Sequence, residues 1–386
     1  MTLLSKLLSL ALALTATVSA ASLPTTDYEV IVVGGGPAGL SVLSGLSRVR
    51  RRTALFDSHH YRNDPTREMH DVIGNDGTPP ADFRAAARAQ ISNYSTATFI
   101  DTEITSITPG VANGTTLFTA TDATGTNYTA RKVVLATGLV DILPDTPGLA
   151  QFFGQGIFWC PWCDGYEHRD QPFGILGTLH HIVSSVQEIA TLDSDLIAFV
   201  NGSYVQDEIS TLENSYPDWE ARMAAYNVKI DNRTISSFER IQDGGKVTND
   251  AGDQQIDIFR IHFTEGEPVI RNAFLTNYDT AQRSSIARDM GILINDDGKI
   301  DTSVNPGMRT SMPGVFAIGD CNSDGSTNVP HAMFSGKRAA VFGHVELARE
   351  EMSAAVAKRG LSTRTLHKEA ERAMGDEMEK IWERVK

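Results

Sequence analysis

Two cysteines separated by two residues are the most reactive feature of this sequence. Cys160 and Cys163 lie in the run FWCPWCDG at residues 158–165. A C-x-x-C pair closes a small disulfide ring and often contains one thiol of lowered pKa, which suits thiol–disulfide exchange. A permanent disulfide is the alternative. No metal is expected, because zinc needs four ligands and the third cysteine, Cys321, lacks matching C-x-x-C or histidine spacing. Asp164 is either an acid–base group for the thiol proton or a turn residue.

A glycine-rich segment near the N-terminus predicts a dinucleotide-binding turn. An apolar run leads into Gly34, Gly35, Gly36, Pro37, Ala38 and Gly39, and a helical pattern follows. In a G-x-G-x-x-G turn the first glycine permits the bend, the second lets a pyrophosphate approach, and the third lets the helix pack on the strand. Asp57 ends the next strand, 23 residues after Gly34, where an acid accepts a ribose hydroxyl. A glycine turn without a ligand is the alternative.

The order of strands predicts an α/β protein with one domain inserted into another. One later strand runs into Ala136, Thr137 and Gly138, and another runs into Gly319 and Asp320. A separate strand–helix–strand pattern lies between them, from residue 172 to 200. We therefore expect two Rossmann-like, three-layer (ββα/αβα) nucleotide-binding domains. The expected ranges are 21–150 and 273–349 for the first domain, 151–272 for the inserted domain with the cysteine pair, and 350–386 for a charged helical tail.

Composition and the N-terminus narrow the class of protein. The 386 residues carry 34 Lys+Arg against 48 Asp+Glu, a net charge of −14, which argues against a nucleic-acid groove. Residues 1–20 have the pattern of a secretory signal. Five N-x-S/T sequons suit passage through the secretory pathway, at Asn93, Asn113, Asn127, Asn201 and Asn232. No other apolar stretch is long enough to span a membrane. A secreted glycoprotein without a membrane span is expected.

Three ordered motifs carry a resemblance to a known family. The glycine turn, the C-P-W-C-D-G-Y run and the late G-V-F-A-I-G-D run together resemble the low-molecular-weight thioredoxin reductase superfamily. The resemblance implies a homodimer and an FAD site formed by Gly34, Gly35, Gly36, Pro37, Ala38, Gly39, Asp57, Ser58, Ala136, Thr137, Gly138, Gly319 and Asp320. It also implies that Cys163 faces the flavin while Cys160 exchanges with substrate. Cys321 is then expected to be a buried packing residue.

One departure from that family concerns the electron source. Reductases of the family bind NADPH in the inserted domain, on a second glycine turn and a basic cluster. Here the equivalent turn reads GILGTLHH at residues 174–181, and the segment FVNGS at 199–203 has no Lys or Arg. Each charge-assisted phosphate contact is worth about 1.5–3 kcal/mol, so losing two or three weakens affinity by orders of magnitude. We therefore expect electrons to come from a dithiol.

Further motifs refine the resemblance. The segments Y-R-N at 61–63 and M-H-D-V-I-G at 69–74 look like those of gliotoxin-type dithiol oxidases, flavoenzymes of fungal secondary-metabolite pathways. That resemblance implies that Arg62, Asn63 and His70 line the flavin side and that a dithiol and O2 give a disulfide and H2O2. His70 is alternatively a core histidine. An NADPH-dependent disulfide reductase and a non-catalytic secreted flavoprotein are the competing functions, and the signal leaves open whether the dithiol is a small epipolythiodioxopiperazine-type metabolite or a protein.

Overall fold

A computed structural model describes residues 23–303 and 306–358 of the chain. The expected export signal lies outside the described residues, as does the expected tail from residue 359 onward. Within the described ranges, no helix combines the length and apolar character that crossing a membrane requires.

The first domain is built on a seven-stranded sheet in the order β3-β2-β1-β6-β5-β4, with β17 also paired to β6. Its strands are β1 (Tyr28–Val33), β2 (Thr53–Phe56), β3 (Ala97–Ile100), β4 (Ile104–Ala112), β5 (Thr115–Asp122), β6 (Asn127–Leu135) and β17 (Val315–Ala317). Strands β1, β2, β3, β6 and β17 run parallel, whereas β4, β5 and β6 form an antiparallel meander. The segments that follow β1, β2, β6 and β17 therefore meet at one edge of the sheet, where α/β folds bind ligands.

Both faces of the parallel part of this sheet, strands β1, β2, β3, β6 and β17, are covered, which gives the expected three layers. Helices α1 (Pro37–Arg48), α2 (Pro80–Ile91) and α9 (Val329–Lys358) contribute to the apolar core on one face. The meander strands β4 and β5 and the short helix α8 (Ile286–Asp289) cover the other. The alternation of β1 side chains between these two cores explains why Val30, Ile31, Val32 and Val33 are all apolar.

Helix α9 is held against α1 and the sheet by close packing and by ion pairs. A Cβ added at Gly45 of α1 would lie 2.7 Å from the Cβ of Ala340, so only glycine permits this approach. Near the other end of α9, Glu351 pairs with Arg51 at 2.6 Å and with Arg131 at 2.7 Å. The expected tail boundary at residue 350 therefore falls inside a continuous helix, because the charged residues that suggested a tail are partners of the first domain.

The second domain has a five-stranded parallel sheet in the order β11-β10-β9-β15-β8 and a three-stranded antiparallel sheet. The strands are β8 (Ile157–Phe158), β9 (Phe173–Leu176), β10 (Leu196–Phe199), β11 (Lys229–Asp231), β12 (Ile235–Gln242), β13 (Ile258–Phe263), β14 (Val269–Arg271) and β15 (Ala273–Thr276). Helices α5 (Ile182–Ile189), α6 (Gln206–Ser215) and α7 (Trp219–Ala225) pack on one face, and α3 (Leu149–Phe152) and the antiparallel sheet pack on the other. The cysteine pair lies at α4 (Pro161–Asp164), which follows β8.

The two domains are joined by a ribbon in which β7 (Leu139–Asp141) pairs antiparallel with β16 (Thr280–Gln282). Strand β15 belongs to the second sheet although it follows the expected boundary at residue 272, and α3 begins before the expected boundary at residue 151. The reason is physical: β15 is a four-residue apolar strand, and its sequence does not reveal that its partners are β8 and β9, which lie about a hundred residues earlier.

Candidate functional site

A cleft of about 1400 Å³ of empty space runs along the edge of the first sheet and reaches the disulfide of the second domain. Most of the residues expected from the sequence line it: Gly34, Gly35, Gly36, Pro37, Ala38, Asp57, Ser58, Arg62, Asn63, His70, Ala136, Thr137, Gly138, Cys163, Asp164, Gly319 and Asp320. Two expected residues, Gly39 and Cys160, are not part of the lining. A Cβ at Gly39 would lie 1.9 Å from the carbonyl oxygen of Gly34, so this glycine serves the packing of α1 on the turn.

The glycine turn has the geometry of a phosphate cradle. Gly34 has a φ of +116°, and a Cβ there would lie 2.2 Å from the carbonyl oxygen of Ala136. By contrast, a Cβ at Gly36 or at Gly138 would meet nothing within 4 Å, so open space begins at both residues. Gly36 is the N-cap of α1, and no side chain of the described residues caps this helix, so its first N–H groups are available to an anion. The turn therefore fits a dinucleotide pyrophosphate.

Asp57 is more heavily engaged than its sequence position indicates. Its Oδ2 accepts hydrogen bonds from Tyr61 Oη at 2.7 Å and from Arg88 Nη1 at 3.0 Å, and its Oδ1 accepts the N–H of His59 at 2.9 Å. Burial and the bond to Asp57 raise the pKa of Tyr61, which therefore keeps its proton. A carboxylate has about four acceptor positions, so Asp57 retains capacity for a ribose hydroxyl. The sequence did not identify Tyr61 or Arg88 as its partners.

Arg62 bonds, at the cleft, to carboxylates from both chain segments that form the first domain. Its guanidinium forms two bonds to Asp141, at 2.6 and 2.9 Å, and one to Asp320 at 3.0 Å. It also lies 5.0 Å from the ring centroid of Trp159 in the second domain. Burial raises the pKa of Asp320 although Arg62 opposes this. Arg62 and Asp320, which were predicted separately as residues of the cofactor site, are thus brought together, and Asp141, which no motif marked, completes the group.

The cysteine pair forms a disulfide, and its two members differ in position. Cys160 and Cys163 are bonded across α4, and Cys163 alone of the two lines the cleft. Cys321 is fully buried, with its Sγ 3.2 Å from the backbone oxygen of Ile318, and burial raises the pKa of its thiol. The predicted packing position of Cys321 is therefore confirmed.

Acidic groups and a histidine surround the turn after the disulfide. Burial, together with the nearby carboxylate of Glu167, raises the pKa of Asp164 to about 8, and Arg67 partly opposes this. Oδ2 of Asp164 is buried and has no hydrogen-bond partner among the described residues. His70 lies beside the same turn, with Nδ1 3.6 Å from Oε1 of Glu167. Asp164 is therefore poised to exchange a proton near neutral pH. Glu167 was not predicted as a site residue, although it directly follows the C-P-W-C-D-G-Y run.

The equivalent turn in the second domain is closed by its own side chains. The backbone N–H of Leu179, a fully buried residue, donates to Ser203 Oγ at 2.9 Å. The backbone N–H of His180 donates to Oε2 of Glu208 at 3.3 Å, and the same oxygen lies 2.6 Å from Nδ1 of His180. Two N–H groups of the 3-10 turn Leu179–His181, which leads into α5 and could receive a phosphate, are therefore bonded to a hydroxyl and a carboxylate of the chain itself.

Comparisons with known proteins agree with this geometry. A family model described as "Pyridine nucleotide-disulphide oxidoreductase" matches residues 28–189 and 219–336. "Probable thioredoxin reductase" of Arthroderma benhamiae is 49% identical over 94% of this chain and 92% of its own length. "Thioredoxin reductase tcpT" of Claviceps purpurea is 30% identical, covering 80% and 90%. The crystal structure of HlmI superposes with a TM-score of 0.73 at 28% identity, covering 87% and 98%. The predicted resemblance and fold class are confirmed.

Proposed function

Because the chain belongs to the pyridine nucleotide-disulphide oxidoreductase family and is an oxidoreductase of the thioredoxin reductase type, we propose that it is an FAD-dependent dithiol oxidase. In this reaction a dithiol loses two electrons and two protons and becomes a disulfide, and O2 takes them up as H2O2. The family by itself leaves the direction of electron flow open, so the second domain carries the argument.

The observation that carries the proposal is the closed turn in the second domain. A nicotinamide dinucleotide phosphate needs free N–H groups at the helix start and cations near its phosphates. Ser203 and Glu208 already accept two of these N–H groups, and the carboxylate of Glu208 repels an incoming phosphate. Leu179 fills the space where the family pattern has a small residue. These contacts support an electron source other than NADPH.

The first domain, in contrast, has the features that an FAD would need. Its glycine turn is open at Gly36 and Gly138, α1 lacks a side-chain cap, and Asp57 retains acceptor capacity. The pyrophosphate would be held at Gly36 and the first turn of α1, and the ribose at Asp57. When bound, FAD supplies a two-electron acceptor beside the disulfide and the reaction with oxygen. Asp320 and Arg62 would lie along the flavin end of the cleft.

The disulfide and Asp164 supply the remaining chemistry. A substrate thiolate attacks Sγ of Cys160, a mixed disulfide forms, the Cys160–Cys163 bond breaks and Cys163 leaves as a thiolate on the cleft wall. The second substrate thiol then gives its proton to the carboxylate of Asp164 and attacks the substrate sulfur of the mixed disulfide. The bond from that sulfur to Sγ of Cys160 breaks, and Cys160 leaves as a thiolate. The oxidised substrate leaves, and the cysteine pair holds its two electrons. The buried, unpaired Oδ2 of Asp164 is suited to this proton transfer.

Anaerobic titration of the purified yellow protein tests the proposal. A small dithiol such as dithiothreitol should bleach the flavin absorbance, NADPH should not, and admission of air should restore the colour with formation of H2O2. Bleaching by NADPH and not by the dithiol would instead establish an NADPH-dependent disulfide reductase, the function that the names of the relatives favour. A protein that responds to neither would be a non-catalytic flavoprotein.

The setting of the reaction is part of the same proposal. The signal pattern at residues 1–20 and the five sequons support a secreted glycoprotein, and all five asparagines are exposed on the surface. A homodimer follows from the family resemblance, and light scattering of the purified protein tests it. The substrate is a dithiol, either a small epipolythiodioxopiperazine-type metabolite or a reduced secreted protein, and oxygen-electrode assays with both classes distinguish them.

A further inference from the structure

Arg67 connects the two domains through a buried carboxylate. It lies in the segment between β2 and α2 of the first domain, and its guanidinium reaches into the second domain. Nη1 and Nη2 form a two-point contact with Asp257, at 2.9 and 3.0 Å, and Nη2 also bonds to Oδ1 of Asp243 at 2.8 Å. Asp257 is fully buried. A planar two-point contact of this kind fixes orientation as well as distance.

The carboxylate of Asp257 is held on its other side by the second domain. Its Oδ1 accepts the backbone N–H of Gly244 at 2.9 Å, and its Oδ2 lies 3.1 Å from Nε2 of His168. Burial alone would raise the pKa of Asp257, but the bonds from His168 and Arg67 outweigh it and hold the pKa at about 2. Asp257 is therefore charged at neutral pH and depends on Arg67 for compensation of that charge.

His168 carries this contact to the disulfide turn. Its ring is buried, and Nδ1 lies 2.9 Å from the backbone oxygen of Asp164, the residue next to Cys163. Both neighbours of the ring are acceptors, so a neutral imidazole donates to one of them and a protonated one donates to both. The contacts thus run without a break from Arg67 through Asp257 and His168 to the backbone at the disulfide.

The connection between the domains makes such a contact necessary. The chain crosses between them twice, beside the ribbon of β7 and β16. A two-stranded ribbon is marginally stable alone, so the orientation of the domains depends on side-chain contacts elsewhere. Pro65, two residues before Arg67, also packs against the second domain, because a Cβ added at Gly154 would lie 3.1 Å from the Cβ of Pro65.

We propose that Arg67 is a positioning residue, which fixes the disulfide turn of the second domain against the cofactor cleft of the first through Asp257 and His168. The inference rests on the proposed function only for the electron step between the disulfide and the flavin. The orientation itself is a property of the fold and is measured separately.

The first measurement is a distance distribution by pulsed electron paramagnetic resonance on the flavin-loaded protein. Nitroxide labels are placed at Ala86→Cys on α2 and Glu213→Cys on α6, both exposed. The native cysteines do not react, since two form the disulfide and Cys321 is buried. In the labelled protein that carries no further substitution, we expect a narrow distribution of label-to-label distances. In the labelled protein with Arg67→Met/Asp257→Asn, we expect this distribution to be broader or displaced. This double substitution removes both charges, so that no unpaired carboxylate is left to unfold the domain.

A matched control and a conservative variant separate positioning from general loss of stability. Arg271→Met/Asp195→Asn removes an ion pair that lies within the second domain and should leave the distribution narrow. Arg67→Lys keeps the charge but loses the planar two-point contact, and we expect an intermediate broadening together with a normal unfolding temperature.

The second measurement is the rate of anaerobic flavin reduction by dithiothreitol. A displacement of the reacting groups by about 1 Å costs about 100-fold in rate, and we expect a loss of that size with Arg67→Met/Asp257→Asn and none with the control pair. An unchanged distance distribution in Arg67→Met/Asp257→Asn overturns the positioning role. Failure of the oxidase proposal looks different, because NADPH and not the dithiol would then bleach the unchanged protein while the distance result still stands.

Discussion

Oε2 of Glu208 accepts the backbone N–H of His180 and lies 2.6 Å from the Nδ1 atom of the same residue. A carboxylate of the chain therefore occupies the turn that leads into α5, the region where a nucleotide phosphate binds in dinucleotide folds. Because the two anions would compete for the same N–H group, the proposed function assigns Glu208 a role against NADPH binding.

Replacing Glu208 should weaken this exclusion. We expect Glu208→Gln to bind NADPH about tenfold more tightly than the unchanged protein, since removal of one like charge near a phosphate is worth about 1.4 kcal/mol. Isothermal titration calorimetry measures the change. Glu213→Gln, an exposed residue of the same helix, is the matched control and should have no effect. Micromolar binding by the unchanged protein would contradict the exclusion.

The three cysteines should respond differently to substitution. Cys160→Ser and Cys163→Ser should each lower dithiol-dependent oxygen consumption by at least about a thousandfold, because the mixed disulfide or the thiolate on the cleft wall is lost. Cys321→Ala should retain activity, because its sulfur is buried and bonds to backbone oxygens. An oxygen electrode gives all three rates. Full activity of Cys160→Ser would show that the disulfide is structural.

The pKa of Asp164, raised to about 8, predicts a pH dependence of catalysis. A base must be ionised to act, so the rate of anaerobic flavin reduction should rise with pH up to about 8 and then level off. Asp164→Asn should be about 100-fold slower or more, the usual contribution of a general base. Substrate thiols ionise in the same pH range and affect both proteins equally. The rate of the unchanged protein divided by that of Asp164→Asn, taken at each pH, therefore reports the ionisation of Asp164 alone. A constant ratio from pH 6 to pH 9 would exclude this role.

The same group predicts a pH dependence of stability. The pKa of Asp164 is 3.8 in the unfolded chain and about 8 in the folded protein, so the folded state binds the proton more tightly. The free energy of unfolding should therefore fall as the pH rises from 3.8 towards 8, and Asp164→Asn should lack that part of the decrease. Urea unfolding curves at a series of pH values measure it. Parallel curves for the two proteins would show that Asp164 titrates normally.

Glycosylation should follow the surface positions of the sequons. At Asn201 and Asn232 the side-chain Oδ1 accepts a backbone N–H. A glycan attached to Nδ2 would therefore leave this hydrogen bond intact. At Asn93 it is Nδ2 that donates, to two carbonyl oxygens of the preceding helix. We expect secreted material to carry glycans at Asn201 and Asn232 and lower occupancy at Asn93, as measured by mass spectrometry after deglycosylation in heavy-oxygen water. If the secreted protein carried no glycan, the sequons would no longer support passage through the secretory pathway.

Some features of the protein follow from its sequence alone. The glycine turn, the acid at the end of β2 and the C-x-x-C run are local patterns, because each needs only a few consecutive residues with defined backbone preferences. They were sufficient for the fold class, and most of the residues that they marked line the cleft. The absence of Lys and Arg at residues 199–203 was equally visible, because charge is a property of composition.

Other features were decided only by the tertiary structure, because they join residues that are distant in the chain. The partner of Arg62 at Asp141, the closure of the second turn by Glu208 and the contact of Arg67 with Asp257 span 79, 28 and 190 residues. Strand β15 was assigned to the second sheet by its pairing with β8 and β9. Likewise the pKa of Asp164 depends on burial, which no sequence pattern states. Local backbone preferences therefore determine which reactive groups the protein contains. Packing between residues that are distant in the chain determines the distances between those groups and their protonation states.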